Sequence, residues 1–175
     1  LLFASLAKNR LKDALLRLTL SRGIGARGLA SQSAQAASLI IYCFPRSIEQ
    51  QEKLKQGCRV ILAQTRKIPS ACMNPLIKSA NYLNGVLAMR EAEYQNADEA
   101  FLLNTSGMLA EGACSNIFWI KDRELFTPAL SCGIMAGITR AAVVEISIQL
   151  GVKVNQVEAP PQALLQAEEV FFTHS

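Results

Sequence analysis

Several residues in this 175-residue sequence are of types that do chemistry. Lys78 stands just before a helical pattern that runs from Ser79 to Tyr94. An amine there can attack a carbonyl carbon or carry a proton. Glu111 lies in Leu109-Ala110-Glu111-Gly112-Ala113-Cys114-Ser115-Asn116, where a carboxylate can pair with a cationic nitrogen. Gly137-Ile138-Thr139-Arg140 opens another helical run, and a helix start presents free N–H groups and a positive dipole end to an anion. Arg22 and Arg27 flank a glycine-rich loop, Arg22-Gly23-Ile24-Gly25-Ala26-Arg27-Gly28, and a guanidinium suits a carboxylate. Taken one at a time, each has an ordinary reading. Lysines at helix starts are mostly solvated, glutamates fill polar turns, and threonine often caps helices.

Together they point to one cofactor. An amine, a carboxylate and a phosphate-binding helix start are what pyridoxal phosphate requires. The amine forms a Schiff base with the aldehyde and later moves a proton. The carboxylate keeps the pyridine nitrogen protonated, so the ring becomes an electron sink. The helix start takes the phosphate.

The elements that must position these groups follow from apolar patterning. Asp13 to Ser21 fits helix or strand, and Ser38 to Phe44 reads as a buried strand ended by Pro45. Ser47 to Gly57 is polar, helical or linker-like; Cys58 to Gln64 is a strand. In the helix from Ser79 to Tyr94, Leu83, Val86, Leu87 and Tyr94 share a face. Ala100 to Asn104 and Met108 to Ala110 are strands around Thr105-Ser106-Gly107. Ile117 to Ile120 and Glu124 to Thr127 form a hairpin around Lys121-Asp122-Arg123. Gly133 to Gly137 is a loop, and Thr139 to Leu150 is an apolar helix that Gly151 stops. A strand at Val152 to Val157, a short helix at Pro161 to Ala167 and a strand at Val170 to Thr173 complete an α+β or mixed α/β chain without internal repeats.

Half of the residues are apolar and 18% are charged, which supplies a core and excludes a disordered chain. A net charge of +4, with no aromatic residues around Arg22 and Arg27, argues against a nucleic-acid binder. The longest apolar run, Ala37 to Phe44, is far too short for a membrane helix. The five cysteines are scattered with no C-x-x-C pair, which predicts reduced, small buried hydrophobes in a cytoplasmic protein. The chain starts at Leu1 without a signal-peptide pattern and stops directly after a strand-like run, so an internal segment of a longer protein is expected.

Lys78-Ser79-Ala80-Asn81-Tyr82-Leu83, Leu109 to Phe118, Leu125-Phe126-Thr127-Pro128 and Gly137-Ile138-Thr139-Arg140 resemble, in order and spacing, the class IV aminotransferase signature. That group, the fold type IV pyridoxal-phosphate enzymes, includes branched-chain aminotransferases, D-amino acid aminotransferases and 4-amino-4-deoxychorismate lyases. The resemblance implies a two-domain D-amino acid aminotransferase-like fold and a homodimer. It assigns residues 1–46 to the remnant of a small domain and 47–175 to the large cofactor-binding domain. It makes Lys78 the Schiff-base lysine and proton shuttle, and Glu111 the partner of the pyridine nitrogen. Gly137, Ile138 and Thr139 would bind the phosphate, Ser175 stands where the family often has a phosphate-binding threonine, and Met135 would pack on the ring. Tyr82 lies near a cofactor-ring tyrosine of the branched-chain enzymes at a different spacing. The phosphate-binding arginine of the family's N-terminal part has no match here. The loop from Ser21 to Leu29 is most similar to that of the deoxychorismate lyases, with Arg27 as a substrate-carboxylate ligand. D-amino acid aminotransferases carry a histidine where Leu29 stands. The resemblance therefore implies a lyase that yields p-aminobenzoate and pyruvate, with a branched-chain or D-amino acid aminotransferase as the alternative.

Overall fold

The structure, a computed structural model, describes residues 1–34, 36–45 and 56–174. The chain divides into two compact units, Leu1–Gly57 and Cys58–Ser175. The domain boundary expected after Arg46, and most of the polar stretch from Ser47, fall on residues 46–55, outside the described residues.

In the first unit a short helix, α1 (Leu2–Lys8), precedes strands β1 (Ala14–Ser21) and β2 (Ser38–Pro45). They pair antiparallel from Ala14↔Pro45 to Ser21↔Ser38. The ambiguous stretch from Asp13 is thus settled as strand by its partner, not by its own periodicity. The glycine-rich loop between them is pinned where the Ala26 N–H donates to Ser33 Oγ at 2.8 Å. Arg22 and Arg27 are both exposed on it.

The second unit holds two sheets. In the first, β3 (Val60–Leu62) runs parallel to β4 (Glu99–Leu103), and β4 antiparallel to β5 (Leu109–Gly112). In the second, β6 (Asn116–Lys121) lies between β7 (Glu124–Pro128) and β9 (Glu169–Thr173), both antiparallel to it, and β8 (Val154–Val157) joins β7 in parallel. Parallel neighbours need a long crossover, and each has a helix. Helix α2 (Leu83–Tyr94) joins β3 to β4, and α3 (Ile138–Gln149) joins β7 to β8. A short α4 (Gln162–Leu165) leads into β9. The β6–β7 turn places Asp122 and Arg123 at φ 51° and 61°, the left-handed pair that a two-residue hairpin needs. Cross-strand aromatic pairs fasten the second sheet. Phe118 stacks on Phe171 at 5.0 Å and Trp119 on Phe126 at 5.6 Å.

Two helices depart from expectation. Helix α2 begins at Leu83 rather than Ser79, because turns hold the residues before it: Ser79 N–H donates to the Ile77 carbonyl at 2.8 Å and Tyr82 N–H to that of Ala80 at 3.0 Å. Its large apolar residues do not face the core: Leu83, Val86, Leu87 and Tyr94 are exposed, and Ala88 and Ala92 are fully buried with Ala63, Ala100 and Leu102. The small face wins because it allows a closer approach to the sheet. A Cβ on Gly85 would lie 2.5 Å from the Ala113 carbonyl oxygen. Helix α3 carries apolar residues on more than one side, and Ile146 and Ile148 are exposed while Arg140 is buried.

Gly85→Ala is expected to destabilise the protein by about 1–2 kcal/mol, because overpacking outweighs the helix propensity gained. Thermal unfolding of both forms checks this; an unchanged or raised Tm would show that the Ala113 segment yields freely.

Candidate active site

Both crossovers leave from the carboxyl ends of parallel strands, and the candidate residues lie there. The segment from Ala63 to Tyr82, after β3, carries Lys67 and Lys78. The segment from Ala129 to Gly137, after β7, carries Met135 and ends in the start of α3. Glu111 is at the carboxyl end of β5 and Thr173 at that of β9. Ligands of open sheets commonly bind outside strand carboxyl ends. Glu111, Thr173 and the segments that follow β3 and β7 line one cleft of about 310 Å³. Lys78, Glu111, Met135 and Gly137 to Thr139 all line it.

Lys78 is exposed and sits in coil, not at a helix start. The Leu76 N–H donates to Asn74 Oδ1 at 3.0 Å, a local turn that delivers Lys78 to the cleft. Tyr82, also exposed, lines the same cleft.

Glu111 is buried, and both of its carboxylate oxygens have partners. One oxygen pairs with the Lys67 ammonium. The other accepts the Met135 N–H at 2.8 Å and Asn116 Nδ2 at 3.5 Å. Asn116 Nδ2 also donates to the Met135 carbonyl at 3.0 Å. Neither Lys67 nor Asn116 was singled out from the sequence. Asn116 lies within the Leu109–Phe118 block, a signal that could have found it. Lys67 sits in the basic stretch Thr65-Arg66-Lys67, which reads as a solvated loop.

Gly137 is the N-cap of α3, and no side chain caps this end. The Ala141 N–H to Gly137 carbonyl bond is 2.9 Å, so the N–H groups of Ile138, Thr139 and Arg140 precede the first helical hydrogen bond. A Cβ on Gly137 would lie 2.1 Å from Asn116 Oδ1, so glycine is what lets the amide approach. Arg140 points away from solvent and donates through Nη2 to the Pro128 carbonyl and Gln156 Oε1, each at 2.9 Å. Burial pulls its guanidinium below the usual range. Thr173 Oγ1 is buried with no hydrogen-bond partner, and Thr173 and His174 line the cleft. Ser175 lies outside the described residues.

The cysteines are only partly as expected. All five are free thiols and Cys132 is buried, but Cys72 and Cys114 are exposed and Cys43 and Cys58 half-buried. Cys114 is exposed in the short loop between β5 and β6, in which Ser115 is the buried residue. Although Cys114 reaches solvent, the protein atoms around its thiol partly desolvate it and, with the nearby Glu99 and Glu111 carboxylates, push it up, with Lys78 opposing. Among the described residues no cluster of three His, Cys, Asp or Glu could hold a metal. No helix there is long and apolar enough to cross a membrane.

The family model for amino-transferase class IV matches residues 1–175. The chain belongs to that family. A Methanocaldococcus jannaschii protein, named as a branched-chain-amino-acid aminotransferase, is 36% identical over 169 residues, covering 97% of this chain and 58% of its own length. The aminodeoxychorismate lyase of Bacillus subtilis is 32% identical over 169 residues, covering 95% of this chain and 56% of its own. The crystal structure of the branched-chain amino acid aminotransferase from Thermobaculum terrenum, in its PLP-form, superposes with a TM-score of 0.82 at 25% identity, covering 97% of this chain and 55% of that one. The chain thus spans little more than half the length of these class IV relatives. They divide between aminotransferases and a lyase, so membership alone leaves the reaction open.

Proposed function

We propose that the protein is a pyridoxal-phosphate-dependent lyase that converts 4-amino-4-deoxychorismate to p-aminobenzoate and pyruvate, the former of use in folate synthesis. The observation that carries the cofactor is the cleft's donor set. An uncapped helix start and an orphaned Thr173 hydroxyl offer hydrogen bonds to an anion, and a buried carboxylate lies in the same cleft. A phosphate, an aldehyde and a basic ring nitrogen fit those residues.

When bound, the cofactor supplies an aldehyde for amines and a ring that takes up electrons from the amine-bearing carbon. Lys78 Nζ would hold the aldehyde end of the cofactor, and the same amine would serve as the base that takes the proton from the substrate's amine-bearing carbon. Glu111 keeps a proton on the ring nitrogen. The N–H groups of Ile138 and Thr139, with the Thr139 hydroxyl and Ser175, hold the phosphate, and Met135 packs on the ring. Arg27 binds a substrate carboxylate. The lyase reading rests on the Ser21–Leu29 loop and on the 32% identity to the Bacillus subtilis lyase. A homodimer in the cytoplasm belongs to the same proposal, supported by the exposed apolar side of α2 and the free thiols.

A second reading, a branched-chain aminotransferase, is favoured by the 36% identity to the Methanocaldococcus jannaschii protein. One assay separates them. The intact protein is given pyridoxal phosphate and 4-amino-4-deoxychorismate without a keto acid, and p-aminobenzoate and pyruvate are followed together. Equal, catalytic release of both is expected. Turnover of a branched-chain or D-amino acid that requires a keto acid, with neither product formed, would replace the lyase by a transaminase.

A further inference from the structure

We propose that Lys67 is the resident counter-cation of Glu111, and that it moderates how firmly this carboxylate keeps a proton on the cofactor's ring nitrogen. This rests on the reading of Glu111 as the partner of that nitrogen. Lys67 is a positioning residue here, acting on the cofactor through Glu111.

Three observations carry it. The first is the pair itself. The Lys67 side chain is 19% exposed and that of Glu111 10%, so the contact is shielded from water, unlike a surface ion pair. The other partners of Glu111, the Met135 N–H and the Asn116 amide, are neutral donors. A buried carboxylate without a cation is costly, and Lys67 is its ion-pair partner among the described residues.

The second is how the ammonium is held. The Lys67 N–H donates to the Leu103 carbonyl at 2.9 Å, and the Arg66 carbonyl accepts Asn84 Nδ2 at 2.9 Å. Just before them, Thr65 N–H and Gln64 N–H donate to Glu91 of α2 at 2.9 and 2.5 Å. The loop is thus fastened to β4 on one side and to α2 on the other. Lys67 is delivered to Glu111 by backbone bonds rather than arriving as a mobile surface chain.

The third is the chemistry of the other lysine. Lys78 must give up its proton to act as a base, so it cannot also serve as the permanent cation of the cleft. Lys67 is committed to Glu111 by its ion pair. The two lysines divide a pairing role and a reactive role. The remaining titratable groups lining the cleft are Tyr82, Cys114 and His174. Glu99, on β4, acts on Cys114 from behind, and neutral donors hold it: the N–H groups of Ala100 and Ala113 and the Ser115 hydroxyl.

With Lys67 present, Glu111 and Lys67 together present a dipole to the ring. Without Lys67, the carboxylate acts with its full charge and draws the proton more strongly. The test uses the intact protein reconstituted with pyridoxal phosphate and reads the pH midpoint of the bound cofactor's visible absorption, together with cofactor release on dialysis and Tm. Lys67→Met is expected to raise that midpoint by about one pH unit. Lys67→Gln, which keeps a donor and is the safer variant for folding, should raise it likewise. Lys67→Arg should leave it within about 0.3 unit. A lowered Tm with an unmoved midpoint in both neutral variants would make Lys67 merely structural and overturn the proposal. So would a shift in Lys67→Arg as large as in Lys67→Met. Glu111→Gln is the separate control, expected to move the midpoint down. If it moves neither the midpoint nor cofactor release, the assignment of Glu111 fails, whatever Lys67 does.

Discussion

Replacing Lys78 by alanine is expected to lower turnover by more than about 10⁴-fold, because in the proposed mechanism one amine supplies both the covalent hold on the cofactor and the proton transfer. The fold should survive. Lys78 is exposed and lies outside every helix and strand, and substitutions at such positions usually change stability by no more than about 0.5 kcal/mol. Lys67 cannot stand in, although it lines the same cleft, because its ammonium is paired with Glu111. Three measurements check this together: p-aminobenzoate release, Tm, and borohydride reduction followed by peptide mass mapping. Wild type should carry the reduced cofactor on the peptide with Lys78, and Lys78→Ala should carry none. Near-normal turnover in the variant, or capture on Lys67, would move the chemistry to another amine.

The second large effect is expected at Glu111. Glu111→Gln keeps the size and the acceptor oxygen but removes the charge that, in the proposed role, holds a proton on the ring nitrogen. The cofactor should stay bound, since the helix start and Thr173 are untouched. Proton removal should slow by about 10²–10³-fold, the usual scale for deleting one preorganised electrostatic contact. The variant also leaves Lys67 without its carboxylate, so some loss of stability is expected beside the kinetic loss. A primary isotope effect on turnover, with deuterium at the amine-bearing carbon, distinguishes slowed proton removal from slowed product release. Full activity in Glu111→Gln would remove this residue from the mechanism.

Much of this arrangement can be read from residue order, and the parts that cannot have physical causes. The β6–β7 hairpin is legible because Lys121-Asp122-Arg123 interrupts two apolar runs and the turn tolerates left-handed backbone there. The start of α2 is not legible, because Ser79 and Asn81 can satisfy a helical pattern or local turns, and tertiary context chose the turns. The inward face of α2 is missed for a different reason. Periodicity weighs large apolar side chains, whereas close packing selected Gly85, Ala88 and Ala92. In the cleft, Lys78, Glu111 and Thr139 stand out because each is a reactive type inside a recognisable block, and the structure brings all three to one cavity. Lys67 does not stand out. Its place depends on bonds to Leu103 and on the hold of Glu91 over Gln64 and Thr65, contacts that link distant parts of the chain. Glu91 responds to the same clamp: partial burial pushes its carboxyl up, but the Thr65 hydroxyl and the two N–H donors outweigh this and hold it below the usual range.

The Asn116 amide reaches the Met135 carbonyl and the Glu111 carboxylate with its nitrogen and lies against Gly137 with its oxygen. One side chain therefore ties the carboxylate end of the cleft to the end formed by the start of α3. The separation of the two ends is set by the chain before any ligand arrives. On the proposed reading the cleft would gauge length as well as charge. A phosphorylated aldehyde whose ring and phosphate are spaced differently could satisfy one end only, which makes length, and not charge alone, a condition of entry.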